Sequence, residues 1–351
     1  MVTLRMRTGW SAAVSLAIVG AALAPGAALA QDASPAAPAP DFGPAALERF
    51  APLCVGEETL KVAFFQNTLT NTFVNAEIDG ATQAAADCNL DLVVFDAGFD
   101  TANQINQIET AITSGEYDLF IVQPVDAMPL ADVVDQAIAA GIAVSVPNTP
   151  IGGVEDRYPG TVTFVGHKEL SVGRQAGEMA LQALGEDCGN IVIITGVAEM
   201  QMSQNRSAGF REVVDANPNC VVVAEQDGGF DEGTALTVME NILQAQPEIA
   251  LVYTHSDNMA SGAVNAAEAA GREGIQVVSV GASEQGMQLI RDGKMYGTIF
   301  FRPFVQGQLA TVAGAAHVRG VPIEEIEPFY NDSGDAIVTQ ENVDEYTAEW
   351  S

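Results

Sequence analysis

Positive charge is scarce in this chain. Its 351 residues carry 14 Lys and Arg against 46 Asp and Glu, a formal net charge of −32 with a pI near 4.1. Phosphate recognition needs concentrated Lys and Arg, so the balance argues against nucleic acid or an anionic membrane as partner. So much acid reads as a solubility feature. Charged residues of both signs make up only 17% and hydrophobic residues 48%, the composition of a globular chain rather than a disordered one. After the first thirty residues there is no run of eighteen apolar residues, so no membrane span is expected. The sequence also lacks a G-x-G-x-x-G turn, a P-loop, G-x-S-x-G and H-E-x-x-H. VGASEQG has glycines at the wrong spacing. With three His, and four Cys in no C-x-x-C pair, neither a metal nor a cofactor is expected.

What is present begins with a leader. MVTLRMRTGW carries Arg5 and Arg7 and no acid, SAAVSLAIVGAALA is apolar, and Ala28-Leu29-Ala30 fits a small-x-small cleavage rule. Residues 1–30 therefore read as a secretory signal peptide, with a soluble periplasmic chain beginning at Gln31. No Cys stands at the cleavage point to carry a lipid. Residues 31–57, opening QDASPAAPAP, read as a Pro- and Ala-rich leader. The remaining length suffices for two domains with proper cores.

Short apolar runs then alternate with helical patterns. Strands are predicted at 60–66, 91–95, 118–122, 142–146, 161–165, 190–195, 220–224, 249–253, 276–280 and 296–301. Helices are predicted between them, at 71–87, 101–114, 127–140, 168–184, 201–216, 231–245, 257–271, 283–291 and 303–318. In 101–114 the spacing of Ile105, Ile108 and Ile112 gives one apolar face. Continuous apolar strands joined by helices mean parallel sheets covered on both faces, and right-handed crossovers make them doubly wound. The series occurs twice, so the fold class is α/β with two similar domains.

The four cysteines fall just before predicted strands. Cys54 and Cys88 are 34 residues apart, and Cys188 and Cys220 are 32 apart, about one strand–helix unit each. Neighbouring parallel strands start on the same side of a sheet, so each pair is placed to form a disulfide, Cys54–Cys88 and Cys188–Cys220. Metal binding is the rival reading.

Ligands of doubly wound sheets bind beyond the carboxyl ends of the strands. The loops there hold amides, hydroxyls and a few aromatics, with no catalytic constellation. FFQNTLTNTFVN, residues 64–75, shows the type: a buried strand passes through an uncharged amide-rich loop into a helix. Amides read the polar rim of a hydroxylated ligand while rings cover its C–H face.

In order, TLTNTFVNAEIDGA, QINQIETAITSGEYDLFIVQPVD, AIAAGIAVSV, NRSAGF, QDGGFDEGTALTVMENILQAQPEIALVYTHSDNMASGAVNAAEAAG, GIQVVSVGAS and IRDGKMYGTIFFRP make residues 58–340 resemble a periplasmic sugar-binding protein of the ribose-binding type, a type I solute-binding protein of ABC importers. The resemblance implies two lobes joined by three hinge crossings, near His167, Phe301–Arg302 and Asn331–Ala336. The lobes would be 58–166 plus 302–332 and 167–301 plus 333–351. It implies a monomer that binds a small carbohydrate-like ligand in the cleft and meets a permease in the inner membrane. It does not imply an enzyme. A receptor of the same fold feeding a chemoreceptor or sensor kinase is the alternative.

Carried over position by position, the resemblance gives Asn71 a polar contact and Phe73 and Phe230 stacking places. Val74 stands where a second aromatic is common. The remaining candidates are Asn67, Gln123, Asn148, Gln204, Arg206, Ser256, Asp257, Ser283 and Phe301. The chain also departs from the pattern. Asn148-Thr149 replaces an Asp-Arg pair, Gln204 an Arg, Ser256 an Asn, Gly281 an Asp, and Phe301 an amide. Arg206 matches a fold-supporting place, and Asp257 reads also as a helix N-cap. The fixed charges that discriminate hydroxyl patterns are thinned. A ligand other than ribose is expected: another monosaccharide, a deoxy sugar, a polyol, a cyclitol or a less hydroxylated molecule.

Overall fold

Each continuous apolar run becomes a strand that helices cover from both sides. In the computed structural model the described residues are 44–154, 156–185, 187–330 and 337–351. The first sheet collects β1 (Leu60–Gln66), β2 (Leu90–Asp96), β3 (Leu119–Val122), β4 (Ala143–Asn148), β5 (Thr163–Gly166) and β11 (Phe329–Tyr330). All its pairings are parallel, in the order β11-β5-β4-β3-β1-β2. The second collects β6 (Gly189–Thr195), β7 (Cys220–Asp227), β8 (Leu251–Thr254), β9 (Gln276–Gly281), β10 (Gly297–Phe300) and β12 (Ile337–Thr339), in the order β12-β10-β9-β8-β6-β7. Here β12 runs antiparallel to β10, an exception to the all-parallel expectation. The central strands β3 and β8 are buried along their whole length. That burial is why they read as unbroken hydrophobic runs.

Helices α2 (Thr72–Asp87), α3 (Thr101–Ser114) and α4 (Ala131–Ala139) connect the first sheet. Helices α5 (Glu169–Leu184), α6 (Gln201–Val214), α7 (Glu232–Ala245), α8 (Asp257–Ala269) and α9 (Glu284–Arg291) serve the second. Helix α10 (Pro303–Val318) follows β10 but packs on α2 and β4 of the first lobe. The chain thus passes between lobes at His167–Lys168 and returns at Phe301–Arg302. The third expected connection, 331–336, lies outside the described residues, as do residues 1–43, on which the expected signal peptide and most of the expected leader fall.

Most boundaries fall within about three residues of the sequence reading, and two differences have a clear physical cause. Residues 44–54, placed in the leader, form helix α1 (Pro44–Cys54). Its Phe50 and Cys54 are buried in the first lobe's core with Ala84, Val312 and Ile326, so spacing on one face outweighs the Pro and Ala content. Helix α4 begins after Leu130 rather than at 127, because the Asp126 carboxylate accepts from Met128 N at 3.3 Å and holds that stretch as a turn.

Both expected disulfides are formed. Cys54–Cys88 joins the end of α1 to the residue after α2, just before the edge strand β2. Cys188–Cys220 joins the start of β6 to the first residue of the other edge strand, β7. No described helix is long and apolar enough to cross a membrane.

One carboxyl is buried deep in the first lobe. Glu77 of α2 has no exposed surface and accepts from Gln66 Nε2 at 2.6 Å. Desolvation pushes it from an ordinary 4.5 up to about 8, with the Gln66 bond opposing. The folded state therefore keeps a proton that the unfolded chain releases. Its contribution to stability is complete below pH 4.5 and is lost as pH rises to about 8, at about 1.4 kcal/mol per pH unit. Glu77→Gln should flatten this component. Urea midpoints of both proteins between pH 5 and 9 test it, and parallel curves would refute a neutral Glu77.

Candidate ligand-binding cleft

The carboxyl ends of both sheets face one cavity that holds about 510 Å³ of space between atoms, partly open to solvent. The first lobe brings four amide side chains to it, Asn71 before α2 and three at strand ends. Asn67 follows β1, Gln123 follows β3, and Asn148 ends β4. Gln104 of α3 fixes the middle one: its Nε2 donates to Gln123 O at 2.8 Å and its Oε1 accepts from Val125 N at 2.8 Å. Asn148 adopts a left-handed φ of 59°, which Asn tolerates better than most residues.

Among the described residues, Asn67 Oδ1, Gln123 Oε1 and Asn148 Oδ1 are buried without a hydrogen-bond partner. Such an orphan acceptor typically costs about 1–3 kcal/mol. Three of them lining one cavity describe a surface that awaits hydrogen-bond donors. Asn71 differs, because its Oδ1 caps α2 by accepting from Phe73 N at 2.8 Å. Asn71 still borders the cavity, so one side chain both starts the helix and faces the cleft.

Rings supply the walls. Phe73, Phe230 and Phe301 all line the cavity. Gly196 lets Phe230 sit against the backbone, since a Cβ there would stand 1.9 Å from its ring. Phe99 is a wall the sequence reading missed. An internal repeat marks it: DAGFD at 96–100 and DGGFD at 227–231. In both copies the first Asp accepts from the Gly two residues on, at 2.8 and 2.7 Å. In both, the last Asp caps the following helix, and Phe99 and Phe230 are left-handed at φ 59° and 55°. Strain of this kind in a bulky residue clusters at binding sites.

Charge in the second lobe is self-contained. Arg206 lines the cavity, yet its Nε and Nη2 donate to Glu169 at 2.6 and 3.1 Å and its Nη1 to His255 O at 2.7 Å. His255 also lines the cavity; burial, helped by the Arg206 charge, holds it well below its ordinary value and neutral. Its Nδ1 accepts from Gly196 N at 3.2 Å, so the proton sits on Nε2. Ser256 borders the cavity and donates to Asn258 Oδ1.

Gln204, Asp257 and Ser283 stand away from the cavity. Met202 and Arg206, four apart on α6, face it, which turns Gln204 to the opposite side. There Gln204 Nε2 donates to Glu199 O at 3.2 Å. Asp257 is fully buried and accepts from Ser283 N and Thr298 Oγ1, both at 2.7 Å. Desolvation raises its pKa against those bonds. Ser283 caps α9 through Gly286 N at 2.9 Å. These residues brace the loops behind the cleft.

A lobed pair of doubly wound sheets with hydrogen-bonding groups at their shared edge defines a ligand-binding class. The family described as periplasmic binding protein domain matches residues 62–321, and the chain belongs to it. Within that family it is similar to the sugar-binding proteins of the ribose-binding type. The ribose import binding protein of Bacillus subtilis is 28% identical over 261 residues, 74% of this chain and 82% of that protein. The xylitol-binding protein of Mycolicibacterium smegmatis is 27% identical over 275 residues, 78% and 76% of the two chains. An ABC transporter solute-binding protein from Bacillus halodurans, solved with bound myo-inositol, superposes with a TM-score of 0.74 at 26% identity, covering 84% of this chain and 98% of its own.

The Glu169–Arg206 pair is nearly inaccessible, at 3% and 4% side-chain exposure. Glu169→Ala leaves the guanidinium without its counter-charge. A loss of about 3–5 kcal/mol in unfolding free energy is expected, measured by urea denaturation. A loss well below 1 kcal/mol would mean that Arg206 finds water or another acceptor.

Proposed function

We propose that this protein is the periplasmic solute-binding component of an ABC importer, capturing a small neutral polyhydroxylated molecule between its lobes. The observation that carries this reading is the set of three partnerless amide oxygens on Asn67, Gln123 and Asn148. Neutral acceptors among aromatic walls suit hydroxyl donors on a ring or chain with C–H faces. Arg206 is neutralised by Glu169, so the cleft offers little to an anion. The lobes, 58–166 with 302–332 and 167–301 with 333–351, rotate about the crossings and close on the ligand as a monomer. The closed form meets a permease of the inner membrane.

The relatives that bind ribose, xylitol and myo-inositol support this ligand class and set the panel. A thermal-shift screen of myo-inositol, xylitol, D-ribose, D-fucose and D-galactose should find a stabilising compound by mass action. Gln123→Ala should weaken that compound about tenfold or more by calorimetry. A flat panel removes the reading.

Selectivity follows from Asn148 and Thr149. A ribose hydroxyl that needs a charged partner there meets neutral groups, with a loss of about 1–3 kcal/mol for each unsatisfied group. Ribose should therefore bind tens to thousands of times more weakly than the preferred compound, each 1.4 kcal/mol being about tenfold. Submicromolar ribose affinity on protein stripped of copurified ligand contradicts this.

A further inference from the structure

The end of the chain returns to the cleft. Trp350, the penultimate residue, is 7% exposed and borders the cavity. Its indole Nε1 donates to Gly281 O at 3.1 Å, and its own carbonyl accepts from Glu284 N at 2.8 Å. Gly281, at the end of β9, makes the seat. It holds φ 137°, and a Cβ there would stand 2.5 Å from Trp350 Cζ2. The indole meets Phe73 of the first lobe edge-on, with ring centres 5.4 Å apart and planes at 85°.

Glu349 anchors the same tail elsewhere. It accepts from Arg302 Nε at 2.8 Å, at the crossing, and from Val305 N at 3.3 Å, in the first turn of α10. Helix α10 belongs to the first lobe. Two consecutive residues therefore touch both lobes and the crossing between them. An indole serving only as a core plug would have apolar side chains all round it. Trp350 instead borders a partly open cavity whose lining includes the polar Asn67, Asn71 and Ser256.

We propose that Trp350 is a ligand-contacting, specificity-determining residue, and that Glu349 positions it. The inference rests on the proposed function and deepens it. Position 281 carries no side chain, and its carbonyl is taken by the indole. A ligand hydroxyl pointing there finds no free acceptor, whereas a C–H face finds an indole. The ligand class is thus a polyol, cyclitol or deoxy sugar that presents C–H groups toward the end of β9. Val74, where an aromatic is common in proteins this chain resembles, leaves the adjoining wall aliphatic, and the tail supplies the ring from another direction.

Trp10 and Trp350 are the only tryptophans, and Trp10 lies in the expected signal peptide, so the indole signal of the chain from Gln31 onward reports on Trp350 alone, with Trp10→Phe used where residues 1–30 are retained. The panel is myo-inositol, xylitol, D-ribose, D-fucose and D-galactose, and the compound with the largest thermal shift is carried forward. Saturation with it should shift Trp350 emission and reduce its quenching by acrylamide. Trp350→Ala should weaken binding about tenfold, and Trp350→Phe by no more than about threefold. D-fucose should outrank D-galactose, its partner with one more hydroxyl, and Trp350→Ala should narrow that preference. Glu349→Ala should red-shift the emission of the ligand-free protein.

A panel with no stabilising compound overturns the proposed function and this inference with it. A compound that stabilises the protein while emission and quenching stay unchanged overturns this inference alone. So does a Trp350→Ala variant that binds within about twofold of the parent. Should Trp350→Ala fail to fold, the quenching measurement on the parent decides.

Discussion

Two of the connections between the lobes meet in a single ring stack. His167, at the first crossing, lies parallel to Phe301, at the second, with ring centres 3.4 Å apart and planes within 6°. The Arg206 guanidinium stands 5.2 Å from the centre of the same Phe301 ring. Glu169, two residues after His167, holds that guanidinium with two bonds. The strand ends of both lobes are therefore referred to one cluster of side chains. Phe301 also meets Phe73, the ring at the start of α2, at 6.2 Å. The width of the cleft, the placement of its walls and the burial of its one cation all depend on this cluster.

The electrostatic consequence runs against the bulk composition. A chain with a net charge of −32 lines its cleft with neutral amides, a neutral imidazole and an arginine already matched by a glutamate. Apart from the buried Glu77, Glu169 and Asp257, which lie outside the cavity lining, the described acid is left toward the surface, where water and counterions screen it. Inside, unscreened charge would select by sign first and by hydroxyl pattern second. Buried neutral acceptors reverse that order, because an unmet donor beside them is costly whatever the ligand's charge.

Sequence pattern made the repeated strand–helix units legible, because burial on both faces writes itself as unbroken apolar runs such as Leu119–Val122 and Leu251–Thr254. The cysteine pairs were legible for a related reason, since parallel neighbours start at the same edge. The site was legible where local and tertiary roles coincide, as at Asn71, which caps a helix and faces the cavity. It was not legible where a contact spans the chain. Trp350 meets Gly281 across 69 residues, and no periodicity announces such a return. Strands of two or three residues, β11 and β12, are too short to carry a pattern. Helical phase, which puts Gln204 on the far side of α6 from Met202 and Arg206, is lost when loop residues are matched by position alone. Phe99 had a signal in the repeated D-x-G-F-D motif, visible only when the two halves are laid side by side.

The disulfides sit where each sheet ends. Cys88 adjoins β2 and Cys220 opens β7, the outermost strands of their sheets, which carry Val93 and Val221 at 40% and 48% exposure. An outermost strand is the first part of a sheet to peel away, and a peeled strand with bare valines is a template for pairing with another chain. Each bond stitches that strand's leading end to the structure beside it. A lobe loosened by heat or by passage through an unfolded state thus keeps its margins hemmed, and resistance to aggregation is built into the same covalent links that the strand order allowed.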